Sequence, residues 1–159
     1  MQDNIFSSKP KQISQAAVQI LSKVYGSIDN VNLIVISDMK LPLNIAENLK
    51  KLGLKDFNFL EDPFDKFFNK TEKQLSKSEK FLKAFSQYDV IMIGYKDQKK
   101  LIDVSLVRKI LKKRKQRPIF FIDCGIPGNI CVDISNLSNC YLFDLNDLEQ
   151  LYTSWIQNN

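Results

Sequence analysis

Short apolar segments alternate with helical patterns along this chain, and this alternation limits the possible folds more than any other feature. A strand that is buried on both faces is apolar at nearly every position, and residues 31–36 and 89–93 have this character. Neighbouring parallel strands need a crossover between them, which is usually a helix. The predicted strands cover residues 31–36, 56–60, 89–93, 118–123 and 140–143, and the predicted helices cover 13–25, 43–52, 64–86, 104–115 and 145–156.

This order of elements predicts a single α/β domain. The chain has 159 residues, the size of one domain, and its 44% hydrophobic content suffices for one sizeable core. We expect a three-layer, doubly wound (Rossmann-like) fold around a mostly parallel five-stranded sheet. The polar residues 1–12 are predicted to form a flexible N-terminal tail, so that the domain covers residues 13–159.

Residue types that are absent or scarce exclude several kinds of chemistry. Histidine is absent, which removes His-based triads, His general bases and imidazole metal sites. Cys124, Cys131 and Cys140 are too widely spaced for a zinc site, so we expect no metal and interpret them as small apolar side chains or loop thiols. No apolar run is long enough to cross a membrane and no signal peptide is apparent, which predicts a cytoplasmic protein.

The loop after the first predicted strand departs from a dinucleotide-binding turn. In a Rossmann domain this loop is rich in glycine, and its backbone amides bind the pyrophosphate. Here it reads Ser37-Asp38-Met39-Lys40-Leu41-Pro42. Asp38 adds a negative charge, Met39 adds bulk and Pro42 lacks an N–H group. We therefore expect side chains to close the crevice at this point of the sheet.

Two acids follow the second predicted strand, where a Rossmann domain contacts the ribose. Glu61 suits the hydroxyl groups of an NAD ribose, whereas Asp62 would repel the 2′-phosphate of NADP. Both acids also suit the start of a helix before Pro63, which is the simpler interpretation.

The C-terminal third resembles a known family. Residues 117–127 read RPIFFIDCGIP, Asn129 and Ile130 follow, and residues 141–148 read YLFDLNDL. This pattern is similar to the end of the NADP-binding domain of glutamyl-tRNA reductase, and the segment ISQAAV at residues 13–18 resembles the helix that enters that domain. Asp123 and Pro127 match the family's motif, whereas Gly128 stands where the family has arginine. We expect Asp123 to be structural and to accept N–H bonds from the following turn.

The resemblance implies both a site and a limit on its chemistry. It places the family's cofactor-binding positions at Ser37, Asp38, Met39, Lys40, Glu61, Asp62, Gly94, Asp123 and Pro127. It also implies that the catalytic cysteine belongs to a separate N-terminal domain that this sequence lacks, so we predict no catalytic residue. The expectation is a stand-alone domain from tetrapyrrole synthesis with a degenerate dinucleotide site, inactive as a reductase by itself. We expect no cofactor, or NADP if the family site survives.

Two alternatives remain open at this stage. The first is the dinucleotide-binding half of a split oxidoreductase similar to glutamyl-tRNA reductase. The second is an RNA-associated module, because residues 108–117 hold seven basic residues and no acid in a chain whose net charge is +5. The predicted RNA contacts are Arg108, Lys112, Lys113, Arg114, Lys115 and Arg117, although such a run is also typical of a solvated helix end. A protein partner or an oligomer is predicted as well, and a membrane is not.

Overall fold

A computed structural model describes residues 9–61, 79–96, 100–125 and 128–158 of the chain, without the side chains of residues 80 and 81. It contains a five-stranded sheet in the order β2-β1-β3-β4-β5, and every pair of neighbours is parallel. The strands are β1 (Leu33–Ser37), β2 (Phe57–Leu60), β3 (Val90–Gly94), β4 (Ile119–Asp123) and β5 (Cys140–Asp144). The predicted fold class is confirmed.

Helices cover both faces of the sheet. They are α1 (Pro10–Tyr25), α2 (Lys40–Lys51), α3 (Glu79–Phe85), α4 (Val104–Lys113) and α5 (Leu145–Asn158), with short 3-10 helices at Ile28–Asn30 and Val132–Asn136. Helices α1, α2 and α5 pack on one face, whereas α3, α4 and the second 3-10 helix pack on the other. Within the described residues, no helix combines the length and the apolar character needed to cross a membrane.

Side chains of the central strands alternate between two separate cores. Leu33 and Val35 of β1 belong to the core under α1, α2 and α5, whereas Ile34 and Ile36 belong to the core under α3 and α4. All five positions of β1, β3 and β4 are buried. This burial explains why the strands read as continuous apolar runs instead of alternating ones.

Helix α1 begins at Pro10, three residues before the predicted start. Proline suits the first turn of a helix because the amide it lacks would have no partner there. The buried Ser14 hydroxyl donates to the carbonyl oxygen of Pro10 at 2.6 Å and lies 3.1 Å from that of Ile45 in α2. These contacts bring the first turn of α1 into the packed layer.

Arg114 forms a buried polar network at the amino ends of β3 and β4. Its side chain is fully buried, and Nη2 lies 3.0 Å from the Asp89 carboxylate. The remaining guanidinium hydrogen bonds go to the backbone carbonyls of Ser86, Tyr88, Arg117 and Pro118. The prediction that Arg114 contacts RNA is therefore wrong, because its donors are turned inward and already bonded.

Candidate functional site

The candidate ligand site lies at the carboxyl ends of β1 and β3. The strand order reverses between these two strands, and such a switch point is where doubly wound sheets bind their ligands. Ser37 is in register with Gly94 there, so the loops that follow the two strands face each other. The family-equivalent positions Ser37, Asp38, Met39, Lys40 and Gly94 are brought together at this point.

Two polar contacts join these loops. The buried Ser37 hydroxyl donates to the carbonyl oxygen of Gly94 at 2.7 Å and accepts the amide of Met39 at 2.8 Å. The exposed Asp38 carboxylate accepts the amide of Lys96 at 3.2 Å. Both contacts occupy groups at the mouth of the crevice, where a phosphate would have to bind.

Met39 adds bulk at the same place. A methyl group built on Gly94 would lie 3.0 Å from the terminal carbon of Met39, 3.3 Å from Pro42 and 2.9 Å from the Cβ of Cys124. Gly94 is therefore enclosed by side chains on several sides. Lys40 is exposed at the start of α2. The backbone amide of Met39 is already bonded to Ser37, and Pro42 has no amide hydrogen, so neither residue offers a free backbone donor to an anion.

The ribose end of the candidate site is only partly described. Glu61 is exposed after β2, and its carbonyl oxygen accepts a hydrogen bond from the Tyr95 hydroxyl at 2.6 Å. Tyr95 thus ties the tip of β2 to the loop after β3, a contact that sequence reasoning missed. Asp62 lies outside the described residues, as do Pro127 and most of the helical stretch predicted over 64–86.

Asp123 organises the loop after β4. Its Oδ1 accepts the amides of Gly125 and Asn129, and its Oδ2 accepts the amide of Ile130, each at 3.0 Å. The carboxylate is 5% exposed, so these bonds lie largely out of water. The contacts predicted between Asp123 and the following turn are confirmed, and they leave this carboxylate little capacity to bind a cofactor.

The glycine at position 128 is required by this arrangement. A Cβ there would clash with the Asp123 carboxylate, so arginine, the residue of the glutamyl-tRNA reductase family, does not fit in this loop conformation. Next to it, the buried side chain of Asn129 accepts the amide of Tyr95 at 2.8 Å, and Lys100 donates to the Gly128 carbonyl at 2.7 Å. Sequence reasoning missed both contacts, since the spacing of these residues gives no signal for them.

Two of the three cysteines lie in surroundings that disfavour a nucleophile. Cys124 and Cys140 are buried and Cys131 is partly exposed. Burial raises the pKa of the Cys140 thiol to about 12, and burial beside the Asp123 carboxylate raises that of Cys124 further. Among the described residues, no group of acids and cysteines is arranged to hold a metal ion.

We expect the three cysteines to differ in their rates of reaction with thiol reagents. At pH 8 a thiol whose pKa is about 12 is ionised to only about one part in ten thousand, and burial also blocks access. A disulfide reagent such as DTNB should therefore react quickly with Cys131 alone in the native protein, and with all three thiols in denaturant. Rapid reaction of two or more thiols under native conditions would contradict this assignment, and Cys131→Ser supplies the control that should remove the fast phase.

Comparisons with known proteins agree with the geometry of the sheet. The family model described as shikimate / quinate 5-dehydrogenase matches residues 62–151. Glutamyl-tRNA reductases from Oleidesulfovibrio alaskensis and Bacillus pumilus are each 26% identical over 91% and 90% of this chain, respectively. The chain spans about a third of these relatives, 33% and 32% of their lengths. The predicted resemblance to glutamyl-tRNA reductase is confirmed.

Solved structures share the fold. A glutamyl-tRNA reductase from Methanopyrus kandleri superposes with a TM-score of 0.72 at 17% identity, over 92% of this chain and 38% of that one. A dipicolinate synthase from Bacillus halodurans gives a TM-score of 0.57 at 11% identity, over 98% of this chain and 55% of that one. At such identities the likeness concerns the fold alone.

Proposed function

The chain belongs to the shikimate / quinate 5-dehydrogenase family, and from this premise we propose that it is a degenerate relative of the nucleotide domain of glutamyl-tRNA reductase. In this proposal the domain keeps the Rossmann-like fold, performs no reduction by itself and acts in tetrapyrrole synthesis through a protein partner. The observation that supports the proposal is the set of contacts that Ser37, Asp38 and Met39 make at the switch point.

The energetics of these contacts support the proposed loss of the cofactor. Each lost hydrogen bond to a charged group costs roughly 1.5–3 kcal/mol, and an exposed carboxylate beside a phosphate adds a smaller repulsion that solvent and salt screen. Asp38 supplies the opposing charge, while Met39 and Pro42 remove two amides that a glycine-rich turn would offer. Two or three such losses move a micromolar site beyond millimolar.

The test is a calorimetric titration of the purified protein with NADPH and NADH. We expect no saturable binding up to about 1 mM for the wild-type chain. The variant Asp38→Gly/Met39→Gly removes both the charge and the bulk, and we expect it to gain binding by at least tenfold. A matched control, Asn44→Gly/Glu47→Gly, places the same number of glycines at exposed positions of α2 and should gain nothing.

Two outcomes would contradict the proposal. Micromolar binding by the wild-type chain would favour the second candidate, the dinucleotide-binding half of a split oxidoreductase. That candidate draws support from the exposed Glu61 at the tip of β2, whose position Tyr95 fixes and whose carboxylate suits the ribose of NAD. Failure of the glycine variant to gain any binding, with its fold intact, would show that Asp38 and Met39 do not close the site.

A further inference from the structure

The basic run at residues 108–117 separates into two groups in the folded protein. Arg114 is buried, the Arg117 Nε donates to the Arg114 carbonyl, and Lys113 pairs with Glu79 at 3.5 Å. The exposed side chains of Arg108, Lys112 and Lys115 have no carboxylate partner among the described residues. These three cations therefore remain available to an anion.

Two of these cations border a groove. Arg108 and Lys112 are four residues apart on α4 and thus project from the same face of the helix. The groove between α4 and the segment before β5 is lined by Arg108, Leu111, Lys112, Gln116, Leu137 and Ser138. It combines two positive charges with an amide and a hydroxyl, the side-chain types that contact phosphate and sugar in nucleic acids.

The turns that flank the groove have unusual backbone. Lys115, Gln116 and Asn139 have φ values of 55°, 64° and 64°, in the left-handed region, although none of them is glycine. The amide of Gln116 donates to the carbonyl of Leu111 and that of Lys115 to the carbonyl of Lys112, which closes the end of α4 as a Schellman motif. This closure places Lys115 directly after the helix that carries Arg108 and Lys112.

The spacing of Arg108 and Lys112 suits a phosphate backbone. These two residues lie about 6 Å apart along α4 at 1.5 Å per residue, and phosphates along one strand of a double helix advance about 3.4 Å per step. The segment from Val104 to Ile122 holds no acid. On the elements packed against α4, Glu79 is paired with Lys113, and Asp133 is exposed on the second 3-10 helix. None of the six lining residues is aromatic, so the groove has no platform on which single-stranded bases could stack.

We propose that the groove between α4 and the segment before β5 binds the phosphate backbone of a nucleic-acid double helix without reading its sequence. Arg108, Lys112 and Lys115 supply the charge, and Gln116 and Ser138 supply hydrogen bonds. This surface is separate from the switch point, so the inference does not depend on whether a dinucleotide binds there.

The test is fluorescence anisotropy with a 20-base-pair RNA duplex. A DNA duplex of the same sequence shows whether the groove binds RNA, DNA or both. Three phosphate contacts give a slope of about −2 to −3 for log K against log salt concentration. We therefore expect affinity for at least one duplex to fall roughly 20- to 60-fold between 50 and 200 mM salt. Inorganic pyrophosphate and polyglutamate serve as competitors that carry negative charge without a double helix, and both should compete poorly.

Matched charge reversals locate the site. The variant Arg108→Glu/Lys112→Glu should weaken duplex binding at least tenfold. The control Lys51→Glu/Lys55→Glu makes the same change in net charge at exposed positions on α2 and the segment after it, and it should leave the binding affinity within about twofold of the wild type. Thermal melts establish that both variants fold. The proposal is overturned by equal binding of the two variants, by a slope near zero, by tighter binding of single strands, or by efficient competition from polyglutamate or pyrophosphate.

Discussion

Replacing Arg114 with leucine is expected to lower the free energy of unfolding by about 3–5 kcal/mol, the penalty for breaking a buried ion pair from one side. The substitution leaves the Asp89 carboxylate without its cation and removes the donors to four backbone carbonyls, including those of Tyr88 and Pro118. Because small domains are stable by only about 5–15 kcal/mol, such a loss is a large share of the total. Urea denaturation followed by circular dichroism measures it.

Two further variants show whether the loss of stability comes from the broken ion pair or from the smaller side chain. Arg114→Leu/Asp89→Leu removes both charges, and it should cost less than the sum of the two single substitutions because no isolated charge stays buried. Lys112→Leu changes an exposed member of the same basic run and should alter stability by less than about 0.5 kcal/mol. Equal effects of Arg114→Leu and Lys112→Leu would contradict the structural role of Arg114.

The second large effect is expected at Asp123. Asp123→Ala removes the acceptor for three amides, those of Gly125, Asn129 and Ile130, in a loop that is mostly closed to water. Each unsatisfied buried donor costs about 1–3 kcal/mol, so a loss of at least about 3 kcal/mol is predicted. The melting temperature and the urea midpoint should both fall.

An exposed acid and a conservative variant of Asp123 provide the comparisons for this result. Asp133→Ala, at an exposed acid in the 3-10 helix after the same loop, should change stability by less than about 0.5 kcal/mol. Asp123→Asn keeps the shape of the side chain with one carbonyl oxygen as acceptor, so its cost should fall between those of the other two variants. An unchanged midpoint for Asp123→Ala would refute the structural assignment.

Most of the fold followed from the sequence because the fully buried strands β1, β3 and β4 have a clear apolar pattern. The five predicted strands appear within a few residues of their expected positions. The boundaries differ where a tertiary contact decides them. Strand β1 extends to Ser37 because that residue pairs with Gly94, and α4 ends at Lys113 because the left-handed backbone of Lys115 closes the helix.

The polar contacts were harder to predict than the strands. The carboxylate of Asp123 could be assigned to its own turn because the partners are local in sequence. Arg114 could not be distinguished from its six basic neighbours, because the carbonyls that hold it come from Ser86, Tyr88 and Pro118, which only the folded sheet brings together. The sequence drew attention to Met39 and Asp38 at the switch point, but the contact between Asp38 and the Lys96 amide depends on the loop after β3.

The packing of α1 against α5 affects how the chain can fold during synthesis. Lys9, just before α1, pairs with Glu149 of α5 across 140 residues of sequence, so the layer that contains both helices stays incomplete until α5 has left the ribosome. At about 5–20 residues per second, the first helix waits roughly 7–30 s for this partner. During that time the apolar side chains of Ile13, Ala17 and Leu21 lack part of their cover, so we expect the nascent chain to expose an apolar segment of the kind that chaperones bind.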